Sequence, residues 1–266
     1  DWMDMLLRTG TTQDYKVSVS KGNTDTQYYV SANYMKHEGI VVGTEHERYG
    51  AKFNLHSKIY PWLELTTDIL AARNEGKGEG HFNMSVTNPI MLGLNFSPAM
   101  NMYREDGITF SQDPYNSVSA DNPYALLTAI DSRHMSHTFD GRFDLKFNIG
   151  YGFTFTTTNG ADYRDAKSYS FRPKRMGLGM SSMSNSDRFH LMLQSTNNLT
   201  YNNKWGDHGL TVTAVYEATK SESRNMGISG TNVIAESVRY WDVTNAVIRG
   251  RDRKSTRLNS SHIQKS

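Results

Sequence analysis

The chain has 266 residues, room for one large β domain or two smaller ones, and it contains no Cys, which excludes a disulfide framework, thiol catalysis and a Cys-based zinc site. Hydrophobic residues make up 37% and mean hydropathy is -0.63, low for a thick two-sided core, and no apolar run reaches the ~18 residues of a membrane-crossing helix. The formal charge of +2 hides a basic end: Arg251, Arg253, Lys254, Arg257 and Lys265 against Asp252 put +4 in residues 250–266 and leave −2 elsewhere, so a basic nucleic-acid surface is not supported.

The N-terminus, Asp1-Trp2-Met3-Asp4, has no basic region and no apolar run. No signal peptide is expected there, so the chain is cytosolic or begins partway through its gene. Asp14 to Ser20 then alternates, with Tyr15, Val17 and Val19 on one side. Lys21–Thr26 is a short polar link. Tyr28, Val30, Ala32 and Tyr34 form the next apolar face, an antiparallel partner, because so short a link cannot make a parallel crossover. Gly39–Glu47 reads as a loop. Tyr49, Ala51, Phe53 and Leu55 follow, then a turn at Lys58–Pro61, then Leu63, Leu65, Thr67, Ile69 and Ala71. The alternation stops over residues 74–135. Asn74–Gly80 is expected to be a loop tip. Asn88-Pro89 and Asn122-Pro123 each open a segment that predicts a short helix, since Pro is tolerated in the first turn.

The strand from Phe139 to Ile149 has the clearest period of two. Phe139, Gly141, Phe143, Leu145, Phe147 and Ile149 share one face; Asp140, Arg142, Asp144, Lys146 and Asn148 share the other. Eleven residues reach roughly 36 Å, or about 25 Å of height at a 45° tilt, the height of the apolar band of an outer-membrane barrel. After Gly150-Tyr151-Gly152 come Phe153, Phe155 and Thr157, an expected loop over Asn159–Asp187, a strand from Phe189 to Tyr201, and a strand carrying Leu210, Val212, Ala214 and Tyr216. Lys220 onward reads as another long link. Short and long links therefore alternate. A meander whose turns are tight at one end and long at the other has this pattern.

At this point the residues carry a family resemblance. Asp1-Trp2, Arg8-Thr9-Gly10, Val17-Ser18-Val19-Ser20, Tyr28 to Tyr34, Glu38-Gly39-Ile40 and Arg48-Tyr49 occur in order, followed by Asn197 to Tyr201, Gly206-Asp207-His208 and Leu210. This ordered set resembles the barrel of the SusC/RagA-type TonB-linked outer-membrane proteins over roughly residues 1–245. The resemblance implies an all-β fold: a partial transmembrane antiparallel β-barrel, roughly eight meander strands of a barrel of about 22, with long extracellular loops and without the plug. It implies a cell outer-membrane location, with membrane lipids, a SusD-like lipoprotein and the TonB energy-coupling complex as partners. The TonB contact lies in an N-terminal part not in this chain. The cargo implied is an oligosaccharide or peptide, with no nucleic acid, no cofactor and no catalysis. Residues 1–249 are expected to be barrel. Residues 250–266 resemble translated adapter sequence and are expected to be a disordered, non-native tail. Two other readings stay open: a siderophore-type receptor of the same architecture, and a soluble glycan-binding β-sandwich.

On this reading Asp140, Arg142, Asp144, Lys146 and Asn148 face the lumen. Tyr60, Trp62, Tyr151, Tyr201 and Trp205 lie beside the short turns, as an interfacial aromatic girdle would. The loop aromatics Tyr103, Phe110, Tyr115, Tyr124, Tyr163, Tyr169 and Phe171 are candidates for ligand or lid contact, weighed against simple packing of the loops. His134 and His137 with Asp140 are too few for a metal site and read as polar residues at a strand entrance. Gly76 to Gly80 and Gly177-Leu178-Gly179 lack the strand-to-helix setting of a phosphate loop, and no Gly-x-Ser-x-Gly elbow occurs.

Overall fold

The computed structural model describes residues 1–78, 88–115, 121–177 and 179–260. Its body is one antiparallel sheet of nine strands in which every strand pairs with the next in sequence. They are β1 Thr11–Gly22, β2 Thr26–Glu38, β3 Glu45–Tyr60, β4 Leu63–Lys77, β5 Asp131–Gly150, β6 Phe153–Arg172, β7 Ser182–Trp205, β8 His208–Thr231 and β9 Val247–Ser260. No second sheet packs against it among the described residues, which sets the β-sandwich alternative aside.

The four tight connections lie at one end of the sheet and are no longer than three residues: 23–25, 61–62, 151–152 and 206–207. The β5–β6 turn shows how local chemistry makes them. Tyr151 and Gly152 both have positive φ, 55° and 85°, the primed geometry whose twist matches that of paired strands. Gly150, at φ 92°, takes up the register shift that precedes it. The other end carries the long connections, 39–44, 78–130, 173–181 and 232–246.

Strand length differs most from expectation. The segment 159–187, read as a loop, is mostly strand: β6 runs on to Arg172 and β7 begins at Ser182, leaving nine connecting residues, 173–181. β8 likewise continues past Lys220 to Thr231, and β5 starts at Asp131. The physical reason is that pairing continues where both faces are wet. Backbone hydrogen bonds hold the ladder there while the apolar–polar alternation disappears. The tail is corrected as well. Residues 247–260 form β9, in register with β8 from Thr231↔Val247 to Ala218↔Ser260. An open strand edge offers unpaired N–H and C=O groups to whatever extended chain follows, with little regard to its sequence. Residues 261–266 lie outside the described residues, as do 79 and 80 of the expected loop tip.

Two predicted helices are present, α2 Pro89–Asn95 and α3 Pro123–Thr128; a third, α1 Trp2–Leu6, precedes the sheet. The Asn88 side chain accepts from the Ile90 N–H, and that of Asn122 accepts from Tyr124 and Ala125, so each Asn caps its helix ahead of the Pro. These short helices cannot stand alone. They pack together: Leu6 fills the space beside Gly93, where a Cβ would lie 2.4 Å from its Cδ1. Leu92, Phe110, Ala125, Leu126, Ala129 and Met176 make a compact core over the long-loop end. The Trp2 indole donates to the Ser97 carbonyl at 3.0 Å and meets Phe96 edge-on at 4.9 Å.

Candidate functional site

The register of the sheet sorts the side chains into two faces. On one, β5 places Asp140, Arg142, Asp144 and Lys146, with Asn148 at the turn end. Their direct neighbours are Leu70, Asp68, Thr66 and Glu64 on β4 and Asp162, Gly160, Thr158 and Thr156 on β6. Arg142 grips Asp144 through two hydrogen bonds of 3.1 and 2.8 Å. Arg164 holds Asp162 at 2.8 Å, Lys146 reaches Glu64 at 3.4 Å, and Asn54 donates to Asp68 at 2.7 Å. Gly160 leaves a gap in this lattice. A depression of about 320 Å³ opens there, lined by Lys52, Asp68, Asp140, Arg142, Asp162 and Gln194. Hydroxyl–imidazole pairs recur on the same face, each between residues directly opposite one another: Thr12 with His37, His56 with Thr66, His134 with Ser168 and His190 with Ser223. It is a polar wall, densely but internally hydrogen-bonded.

The opposite face is apolar in the middle. Val17, Val30, Phe53, Ile69, Phe139, Phe143, Leu193 and Val212 stand on it, from seven strands between β1 and β8. At the tight-turn end aromatics frame this band. Tyr60 stacks on Trp62 at 5.4 Å, Trp62 on Phe147 at 6.2 Å, and Phe147 meets Phe155 at 6.0 Å. Phe153 meets Tyr201 at 4.6 Å and Tyr201 meets Trp205 at 6.3 Å. Tyr151 is 95% exposed at the tip of its turn. Four of the five expected girdle residues thus join two aromatic rows, Tyr60 and Trp62 in one and Tyr201 and Trp205 in the other, and Tyr151 projects beyond them.

At the other end the band stops at Tyr15, Tyr34 and Tyr49, which meet in series at 6.4 and 4.9 Å, and at Tyr163, edge-on to Phe189 at 5.7 Å. Beyond them the same face turns ionic. Lys36 pairs with Glu38 and Glu47, Lys77 with Glu45, Arg73 with Glu75, Arg133 with Asp131, and Lys167 with Asp165. An apolar belt between aromatic borders, with charge past the far border, is the profile of a lipid-facing barrel wall.

The loop aromatics divide. Tyr103 and Phe110 close a small hairpin with rings 4.9 Å apart, and the Arg175 guanidinium lies 5.8 Å over the buried Phe110 ring. Tyr124 packs on the helix core. Tyr115 is 93% exposed. Tyr163, Tyr169 and Phe171 are not on a loop but on β6, a correction that follows from the strand's length. Phe171 is only 4% exposed, packed in a second core with Met183, Val233 and Tyr240. Tyr169 stacks on Tyr240 at 5.3 Å and touches Trp241 at 5.9 Å.

The sequence reading missed that pair. Tyr240 is buried and donates to Asp131 at 3.2 Å, and burial together with the Asp131 carboxylate raises its phenol pKa. Arg239 also binds Asp131. Trp241 remains 66% exposed. The adjacent Tyr-Trp dipeptide in a long link was the available signal. In the hairpin loop, Asp106 accepts from the Thr109 side chain and from the Thr109 and Ile108 N–H groups, which lowers its carboxyl pKa. His134 and His137 fall on opposite faces, His134 against Ser168 and His137 3.7 Å from Asp165, so they do not converge with Asp140. No group of His, Cys, Asp or Glu among the described residues is arranged to hold a metal ion, and no described helix is long and apolar enough to cross a membrane.

No family model matches the chain. It is 23% identical over 262 residues to TonB-dependent receptor P3 of Formosa agariphila, covering 93% of this chain and 25% of the relative, and 23% identical over 216 residues to TonB-dependent receptor P39 of the same organism, covering 78% and 19%. The chain thus spans about a quarter, or less, of the curated relatives it matches. In fold it matches the RagAB peptide transporter with a TM-score of 0.76 at 18% identity, covering 96% of this chain and 30% of that one. The open-open state of the RagAB peptide importer matches at 0.71 and 19%. The chain is a partial, open antiparallel barrel sheet of the TonB-dependent transporter fold, and its resemblance is to the SusC/RagA-type TonB-linked outer-membrane proteins.

Proposed function

We propose that this chain is a section of the wall of an outer-membrane TonB-dependent transporter that imports a bulky nutrient, an oligosaccharide or peptide. The carrying observation is the division of one sheet into an apolar band framed by aromatics and a polar, hydrogen-bonded opposite face. The similarity to TonB-dependent receptors supports the energy coupling, and the fold of a solved peptide transporter supports the peptide arm of the cargo.

On this reading Asp140, Arg142, Asp144, Lys146 and Asn148 line the lumen, where their paired charges present a hydrated surface to passing cargo. Tyr60, Trp62, Tyr151, Tyr201 and Trp205 sit at the periplasmic interface. Tyr115 and Tyr103, with Trp241, are the aromatics of the long-loop end best placed to stack on cargo or on a capping SusD-like lipoprotein. TonB engages a part of the protein outside this chain. The role is transport rather than catalysis. Residues 1–249 belong to the barrel, and 250–266 are an appended sequence, whose residues as far as Ser260 borrow the β8 edge.

The test is made on the complete receptor. Outer-membrane fractionation, heat-dependent gel mobility and cargo uptake abolished by collapsing the proton gradient are expected together. A soluble, heat-insensitive product would overturn the transporter reading; a heat-modifiable barrel whose uptake ignores the gradient would overturn the energy coupling.

A further inference from the structure

The polar face changes character along its height. Toward the tight-turn end its cations are held: Arg142 by Asp144, Lys146 by Glu64 and Arg164 by Asp162. Toward the long-loop end Arg48 on β3 and Arg188 on β7 share one register row, Arg48–Asn74–Ser136–Ala166–Arg188. Both are exposed, and neither makes an ion pair or a side-chain hydrogen bond among the described residues. Carboxylates are sparse there. From β1 to β8, in this row and the two polar-face rows beside it, Asp14 is the one carboxylate, and it stands two strands from Arg48. The two arginines are four strand spacings apart, roughly 19 Å along the sheet. The wall between them is low and neutral. Ala166 is small, Gly76 beside Asn74 has no side chain, and Asn74 donates to Ser136 at 3.3 Å.

We propose that Arg48 and Arg188 are a pair of anchors for an acidic peptide at the long-loop end of the lumen. The proposal rests on the transporter reading and names the cargo class taken by its polar wall. A guanidinium presents a planar fork of N–H donors that matches a carboxylate two-on-two, and it stays charged at any physiological pH. Each unpaired fork can therefore take one aspartate or glutamate side chain. An extended peptide covers roughly 19 Å in about six residues, an even number, so both carboxylates leave the same side of its backbone. Between the anchors Asn74 and Ser136, with Thr138 in the next row, carry amide and hydroxyl groups that match the N–H and C=O groups of a peptide backbone. A peptide with lysine in place of the two acids meets like charge at both anchors.

The experiment uses the complete receptor in detergent and a fluorescent nine-residue peptide with glutamate at its second and eighth positions. Two twins carry glutamine or lysine there. Binding is read by anisotropy at low salt. The glutamate peptide is expected to bind about tenfold or more tighter than the glutamine twin, and the lysine twin most weakly. R48Q/R188Q is expected to erase that margin without moving the glutamine twin, and R48K/R188K to keep part of it. Heat-dependent mobility checks that each variant is folded. Equal binding of the glutamate and glutamine peptides by the parent, or an equal loss of both in R48Q/R188Q, would overturn the proposal. A hexagalacturonate that displaces the glutamate peptide at lower concentration than the unlabelled peptide does would assign the anchors to an acidic oligosaccharide and overturn the peptide assignment. Loss of heat-dependent mobility in the unsubstituted receptor would instead sink the membrane-barrel reading, which separates the two failures.

Discussion

Tyr240 shows how a single residue ties a long connection to the sheet. Its ring fills the small core beside Phe171 and Met183, and its hydroxyl donates to Asp131 at the start of β5. Tyr240→Phe removes only the hydrogen bond and is expected to loosen the segment 232–246 by about 1 kcal/mol. Tyr240→Ala also leaves a cavity, and a local cost of about 3–5 kcal/mol is expected. Limited proteolysis reads both: the segment is cut faster in the order Ala, Phe, parent, while the barrel strands stay protected. The phenol also makes this anchorage pH-dependent. Its pKa is raised in the fold, so the neutral form is favoured there. That stabilisation is fully present below the ordinary tyrosine value of about 10 and is lost as pH rises through the folded value. Cleavage of 232–246 should therefore accelerate above about pH 10 in the parent and less so in Tyr240→Phe. Equal acceleration in both would contradict the assignment.

At the scale of elements, β5 is the sharpest test of which face meets lipid. Phe143 and Asp144 are neighbours in sequence and point to opposite faces. Arg placed at Phe143 should cost about 2–4 kcal/mol, the range for a cation on the lipid side near the bilayer midplane. Arg placed at Thr158, opposite Asp144 on the polar face, should be close to neutral. The folded, heat-modifiable fraction of the complete receptor across a urea series measures both. Comparable losses would remove the lipid-facing assignment. The β5–β6 turn is a second element-scale test. Gly152 has positive φ, and an added Cβ would lie 2.4 Å from the Asn202 carbonyl oxygen. Gly152→Ala combines backbone strain of about 1–2 kcal/mol with that clash. Slower assembly of the receptor in the outer membrane is expected, read by a time course of the heat-modifiable band.

The whole sheet is open. Among the described residues β1 has β2 on one side only, and β9 has only β8. Both edges therefore offer unpaired backbone groups, and the apolar band offers exposed Val, Phe and Leu side chains. Neither is tolerable alone: water disfavours the band, and lipid disfavours the edges. The 266-residue chain expressed by itself is expected to aggregate rather than insert. A stable, heat-modifiable monomer made from it would refute this. The compact helix core at the long-loop end has buried Leu92, Leu126 and Met176, and is the part expected to keep native hydrogen-exchange protection.

Much of this was legible in the residues alone. Alternation in Phe139–Ile149 set the two faces, because a strand's side chains alternate strictly and a one-residue slip would exchange them. Asn88-Pro89 and Asn122-Pro123 marked two helix starts, because capping and the Pro ring act within a few residues. Tight and long links, and the aromatics beside the tight ones, were readable for the same reason: each is a local property. The tertiary structure alone decided how far the strands run, that Tyr163, Tyr169 and Phe171 sit on β6, that Tyr240 closes a core with Phe171, and that residues 247–260 pair with β8. Beyond the apolar band both faces meet water, so hydrophobic period carries no signal while backbone pairing persists. A pairing partner distant in sequence leaves no mark on the residues it pairs with.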